Sequence, residues 1–186
     1  LDATDDQSIL DEQVGYLEAR KLAPGEESSY EQPAQSATQE TLYQHGVRAL
    51  KHGLNFGEHG LPLMGAGDWN DGMNMVGLEG RGESVWLGFF LFHILQRYGK
   101  LATTRHDDEL ATLCRQQAET LRNNLRDHAW DGEWYRRGYF DSGEPLGSHQ
   151  SAECRIDAIA QSWSVLSGAG DAPRSLQAMQ SLDKHL

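Results

Sequence analysis

Residues 84–95, SVWLGFFLFHIL, are apolar almost all the way round, and a helix without a polar face has to be covered from every side. The stretch is too short to span a bilayer, which takes roughly 20 apolar residues, so the cover must come from other parts of the protein. Ser84 stands where an N-cap belongs. The next predicted helix, about residues 107–128, is different in kind. Leu110, Leu113, Cys114, Ala118, Leu121 and Leu125 form one stripe, with Arg, Gln, Glu and Asn opposite, so this helix should have a wet face. The pattern then repeats: RIDAIAQSWSVLSG, residues 155–168, is mostly apolar and stopped by a glycine, and APRSLQAMQSLDKHL, residues 172–186, is again amphipathic.

Covered helices alternating with one-sided helices are what two concentric rings of helical hairpins require. The expected fold is therefore all-α: a partial (α/α)6 toroid, about half of the barrel, with a plain helical bundle as the rival. A small β-hairpin is expected in GEWYRRGYFDSGEPLGS, where aromatic residues flank a DSG turn signal, and it should project from the helices. Upstream, residues 1–39 are acidic and polar with Pro24, Gly25 and Pro33 as breakers, and read as an extended segment; residues 40–186 form the helical part. Within that part residues 40–50, ETLYQHGVRAL, place Leu42, Tyr43, Val47 and Leu50 on one side of a helix, with Leu54 a turn further on.

The formal net charge is −12, and the 16 Lys and Arg residues form no cluster longer than Arg136-Arg137. That argues against nucleic acid or an anionic membrane as partner and is compatible with a neutral one such as a sugar. No apolar run is long enough for a membrane span, and no basic-then-apolar signal pattern opens the sequence. Cys114 and Cys154 lack metal-site spacing and read as reduced thiols.

Residues 65–74, GAGDWNDGMN, pack two aspartates, two asparagines, a tryptophan and three glycines into ten residues. On residues alone they can be a turn, with Asp68, Asn70 and Asp71 satisfying backbone donors and Trp69 plugging the core. A calcium loop is excluded, because Gly72 falls where the third ligand should be. The functional alternative is an acid beside a sugar. Trp69 or Trp86 would supply an apolar wall that keeps the Asp71 carboxyl protonated, Asn and Asp would meet sugar hydroxyls, and glycines would let backbone approach.

The longer run GLPLMGAGDWNDGMNMVGLEGRGESVWLGFF resembles the inverting β-glucoside phosphorylases of glycoside hydrolase family 94, and within them the phosphorylase domains of cyclic β-1,2-glucan synthases. The resemblance continues through LDEQVGYLEARKLAPGE, AWDGEWYRRGYFDSGEPLGS and ECRIDAIAQSW, in order, so it covers essentially the whole chain. It implies that Asp71 is the general acid and that Trp69 lines the sugar subsite, with Asp68 supporting the turn or a hydroxyl. An inverting hydrolase needs a second carboxylate to activate water; phosphate is already an anionic nucleophile, so one acid suffices. The implied reaction is phosphorolysis of a β-linked glucan, β-1,2 in the synthase branch, to α-glucose 1-phosphate, trimming glucan before cyclisation. A soluble 1,2-β-oligoglucan or cellobiose-type phosphorylase, and a non-catalytic carbohydrate-binding domain, are the alternatives.

Inorganic phosphate enters as co-substrate, and no metal or organic cofactor is expected. Asn70, Arg81, Glu83 and Gln161 are further substrate-binding candidates, each with a structural alternative: a turn for Asn70, a salt bridge for Arg81, a helix cap for Glu83, a satisfied core amide for Gln161. Arg155, like Arg81, is a phosphate or sugar contact or half of a structural ion pair, His93 reads as a core histidine, and Trp134, Tyr135 and Tyr139 as packing or a sugar platform. The family's arginine-rich upstream segment and its glycine-rich, histidine-bearing downstream stretch have no counterpart here. The expectation is a piece of a larger polypeptide that holds the acid without the full phosphate site, is inactive alone, and exposes apolar surface that a homodimer would cover. The parent is expected at the inner membrane, with this domain cytoplasmic.

Overall fold

A computed structural model describes residues 4, 6–23, 26 and 28–186; Pro24 and Gly25, read above as breakers, lie outside them. The chain divides into two units, Leu1–Leu54 and Asn55–Leu186.

In the first unit a 3-10 turn at Ser8–Asp11 leads into strand β1 (Gln13–Glu18), which pairs antiparallel with β2 (Ala34–Thr41) across an irregularity between Gly15 and Leu17. The extended segment is thus paired with itself. Thr41 ends the strand and caps helix α1 (Leu42–Gly53), its Oγ1 accepting from Gln44 N at 3.2 Å. Tyr43, Val47 and Leu50 are buried as the periodicity requires, but Leu42 is exposed, because the helix opens at that residue instead of at Glu40. Glu40 accepts from both Arg48 and Tyr16, and Tyr16 stacks on His45 at 3.9 Å. The double contact from Arg48 and the Tyr16 hydroxyl hold the Glu40 carboxyl down at about 2.

The second unit carries helices α2 (Val85–Thr104), α3 (Asp108–His128), α4 (Ala158–Leu166) and α5 (Ala172–His185). Helix α2 continues past Leu95 through a polar stretch to Thr104, and Ser84 caps it through Leu87 N at 3.1 Å. His106, at φ 59°, turns the chain, and Asp107 caps α3 through Leu110 N. Gly88 meets Leu125 while Gly99 meets Cys114, so α2 and α3 run antiparallel; both glycines let the helices approach closely. Leu110, Cys114, Ala118, Leu121 and Leu125 face α2, and Arg115 and Glu119 face water. The other side of α2 packs on α4, where Trp86 and Phe90 meet Trp163, and α4 packs in turn on α5. α2 is therefore covered on two sides, as its all-round apolar character demands.

The DSG hairpin does form, from β4 (Gly138–Tyr139) and β5 (Pro145–Leu146), with Gly143 at φ 83° in the turn. It does not project. β4 also pairs with β3 (Glu83–Ser84), so the hairpin is docked onto the N-terminus of α2. A side chain on Gly138 would lie 2.3 Å from the Glu83 carbonyl oxygen, which explains glycine there. Among the described residues the architecture is five α-helices and two small antiparallel sheets, and no helix is long and apolar enough to cross a membrane.

Candidate active site

The motif loop leaves Met64 through Gly65 (φ 60°) and Gly67 (φ 135°), conformations that glycine adopts without strain. It closes on itself, since a side chain on Gly77 would lie 3.0 Å from Gly65 O. Inside it, two Asx turns follow one another: Asp68 Oδ1 accepts from Asn70 N at 3.2 Å, and Asn70 Oδ1 accepts from Gly72 N at 2.9 Å. Asn70 thereby caps a 3-10 turn at Asp71–Met73, and Asp71 sits at its first position.

The loop is anchored by charge. Arg137 donates from both terminal nitrogens to the Asp68 carboxylate, at 2.6 and 2.7 Å, and both side chains are buried. Ser84 Oγ donates to the same carboxylate at 2.5 Å while capping α2. Arg137 Nε faces Asp157 at 3.5 Å, and Asp157 caps α4 through Ile159 N at 2.8 Å. Burial pushes the Asp68 carboxyl up, yet the bonds from Arg137 and Ser84 outweigh it and leave the group below its ordinary range. Arg137 is itself fixed, its backbone N–H donating to Leu146 O and its carbonyl accepting from Val85 N. Arg137 thus joins the motif loop and two helix N-caps through its guanidinium, and the hairpin through its backbone.

Around this anchor the candidates separate into two groups. Asp71 and Trp69 face solvent, with Trp69 74% exposed. Trp86 is buried, its ring against Phe90 and Trp163. Glu83 is 1% exposed and is not the α2 cap, a role taken by Ser84; its carboxylate accepts from Leu61 N, His59 N and His59 Nδ1 and so pins the 57–61 turn. Gln161 is a satisfied core amide, accepting from Tyr135 N and donating to Tyr135 O and Asp157 O.

Arg81 is exposed, its Nε donating to Asp141 O and its NH2 to Glu79, while Asp141 accepts from the backbone of Glu79, Arg81 and Gly82. A recess of about 360 Å³ opens here, lined by His59, Arg81, Tyr139 and Phe140 among others. Arg155 is exposed and makes no ion pair with a described carboxylate. His93 lies edge-on to Trp163. Trp134, Tyr135 and Tyr139 are buried, with Trp134 Nε1 donating to Gly147 O and Tyr139 Oη to His128 O, so they pack and form no open platform. Cys114 is buried and Cys154 exposed, both free.

Sequence reasoning missed Arg137 and Asp141. The Arg136-Arg137 pair was visible only as the largest basic cluster, and nothing local marked Arg137 as the partner of Asp68.

Against known families, residues 2–186 match the model described as the glycosyl hydrolase 94 superfamily catalytic domain. Cyclic beta-(1,2)-glucan synthase NdvB of Rhizobium meliloti (strain 1021) is 44% identical over 180 residues, 96% of this chain and 6% of that protein. Solabiose phosphorylase of Paenibacillus borealis is 34% identical over 188 residues, 100% of this chain and 22% of that protein. N,N'-diacetylchitobiose phosphorylase of Vibrio proteolyticus is 32% identical over 170 residues, 89% of this chain and 21% of that protein. The chain thus spans between 6% and 22% of the length of these relatives.

Proposed function

Because the chain belongs to the glycosyl hydrolase 94 superfamily, we propose that it works as part of a glycan phosphorylase catalytic domain in which Asp71 is the general acid. The observation that carries this reading is the loop itself. Asp71 is exposed on a turn whose neighbours, Asp68 and Asn70, are spent on holding the backbone, so one carboxyl is presented and the rest is scaffold. Phosphate attacks the anomeric carbon from the face opposite the departing oxygen, and Asp71 protonates that oxygen as the bond breaks. The product is then α-glucose 1-phosphate. A nucleophile that arrives already ionised needs no protein base, which fits a site offering one free acid.

Trp69 is proposed as an apolar surface for the sugar ring, and its exposure leaves it available for stacking. Arg81 and the recess beside it are proposed as a polar contact for substrate, with Asp68, Asn70, Glu83 and Gln161 as the supporting frame. No metal or organic cofactor enters this scheme.

The similarity to a cyclic beta-(1,2)-glucan synthase favours a β-1,2-linked glucan, and the role proposed for this domain in such a protein is to set glucan length before cyclisation. The similarity to solabiose and diacetylchitobiose phosphorylases supports phosphorolysis while leaving a soluble disaccharide phosphorylase as second reading. In both cases the helices would continue as an (α/α)6 toroid with polypeptide beyond these residues, which would supply the phosphate site; in a synthase the domain would lie on the cytoplasmic side of the inner membrane. The test is a complete catalytic polypeptide containing this chain, incubated with β-1,2-glucan and phosphate. Asp71→Asn should lower glucose 1-phosphate formation by about 10²–10⁴-fold, the usual contribution of a positioned acid; formation at the wild-type rate would remove Asp71 from the role.

A further inference from the structure

We propose that Arg137 is a positioning residue for the reaction, setting the place of Asp71 through Asp68 and Asn70; this rests on the reading of Asp71 as the acid. The relay is continuous. The guanidinium grips both oxygens of Asp68; Asp68 Oδ1 holds the Asn70 N–H; the Asn70 amide holds the Gly72 N–H; Asp71 is the residue between the last two. A bidentate grip fixes the plane of the Asp68 carboxylate as well as its distance, which a single ammonium contact cannot do. The far end of the relay is rigid, because Arg137 is held by the backbone of Leu146 and Val85 and crowded by Gly147, where a side chain would lie 2.6 Å from Arg137 N. Asp71 itself is exposed and lies on a loop, so its placement has to come from such supports.

The structure also gives the relay a second input. Asp157 lies on the other side of the same guanidinium and caps α4, and Ser84 bonds Asp68 while capping α2. Motion of either helix N-terminus therefore bears on the loop. Arg137 does not reach substrate, being 1% exposed, so its effect on the reaction has to pass through Asp68.

The experiment is a double-mutant cycle in the complete catalytic polypeptide, comparing R137K, D71N and R137K/D71N for glucose 1-phosphate formation, with circular dichroism to confirm folding. Displacing a reacting group by about an ångström costs on the order of 10²-fold, so R137K should lower kcat by about that factor and leave KM within about twofold. In the D71N background the same substitution should change kcat by less than about threefold, since there is no acid left to misplace. D68N, which keeps the side-chain shape, should reproduce the kcat loss and covers the case of an unstable R137K. Wild-type kcat in a folded R137K, or an equal loss with and without the Asp71 carboxyl, would overturn the positioning role. Wild-type activity in D71N would overturn the acid assignment instead, and is read from a different arm.

Discussion

Truncating Glu83 tests whether the region around the motif is held as described. The carboxylate accepts from Leu61 N at 3.0 Å, His59 N at 3.1 Å and His59 Nδ1 at 2.5 Å, with essentially no exposure. In Glu83→Ala the fully buried Leu61 N–H loses its partner, at roughly 1–3 kcal/mol, and the half-buried His59 N–H adds the low end of the same range because water reaches it. The lost methylene adds about 0.8 kcal/mol. Returning a charge to water offsets part of this, leaving about 3 kcal/mol. Glu83→Gln keeps one acceptor oxygen for the two N–H groups and turns an NH2 toward His59 Nδ1, so it should cost about 1 kcal/mol. Urea unfolding of both variants beside wild type reads the difference as a shift in midpoint at constant m. Glu83→Ala within about 1 kcal/mol of wild type, or Glu83→Gln as damaging as alanine, would refute the three-donor account.

Three further outcomes follow from other sites. Asp68 is held below its ordinary range, burial being outweighed by Arg137 and Ser84, so its stabilisation is complete above the unfolded aspartate value of about 3.9 and is lost as pH falls below that through the lower folded value. Urea midpoints should therefore drop steeply below about pH 4 in wild type and less steeply in D68N, measured from pH 6 to 3. Burial pushes the Cys114 thiol up, whereas Cys154 is exposed, so a thiol reagent at neutral pH should modify Cys154 in the native protein and Cys114 only in denaturant, as read by peptide mass. Gly138→Ala puts a carbon 2.3 Å from the Glu83 carbonyl and should cost about 1–3 kcal/mol by thermal or urea unfolding, with no loss if β3 and β4 were not paired.

Much of this fold is local in origin, and that part was legible. The stripe from Leu110 to Leu125 repeats at helical period, Ser84 precedes an apolar run, and the DSG turn forces a reversal; each is visible within a few residues. The apolar pattern of helix α2 stops at Leu95 because Gln96, Arg97 and Lys100 interrupt it, yet the helix goes on with Gly99 and Ala102 buried, Gly99 against Cys114. The docked hairpin was not legible, since strands of two residues carry no period and their pairing to Glu83 is long-range. The same holds for the site. The Asx turns of Asp68 and Asn70 follow from their residue types, but the ion pair of Asp68 with Arg137 spans 69 positions and leaves no local mark. Glu83 looked like a cap because it precedes a helix; its donors lie upstream, on a turn the pattern did not reveal.

The loop around Asp71 is proposed to serve phosphorolysis and not hydrolysis. Magnetic resonance of the products formed by a complete catalytic polypeptide from β-1,2-glucan, with and without inorganic phosphate, tests it directly. α-Glucose 1-phosphate should appear only when phosphate is present, and should be lost in D71N. Free glucose released without phosphate, or a β-configured sugar phosphate, would contradict it.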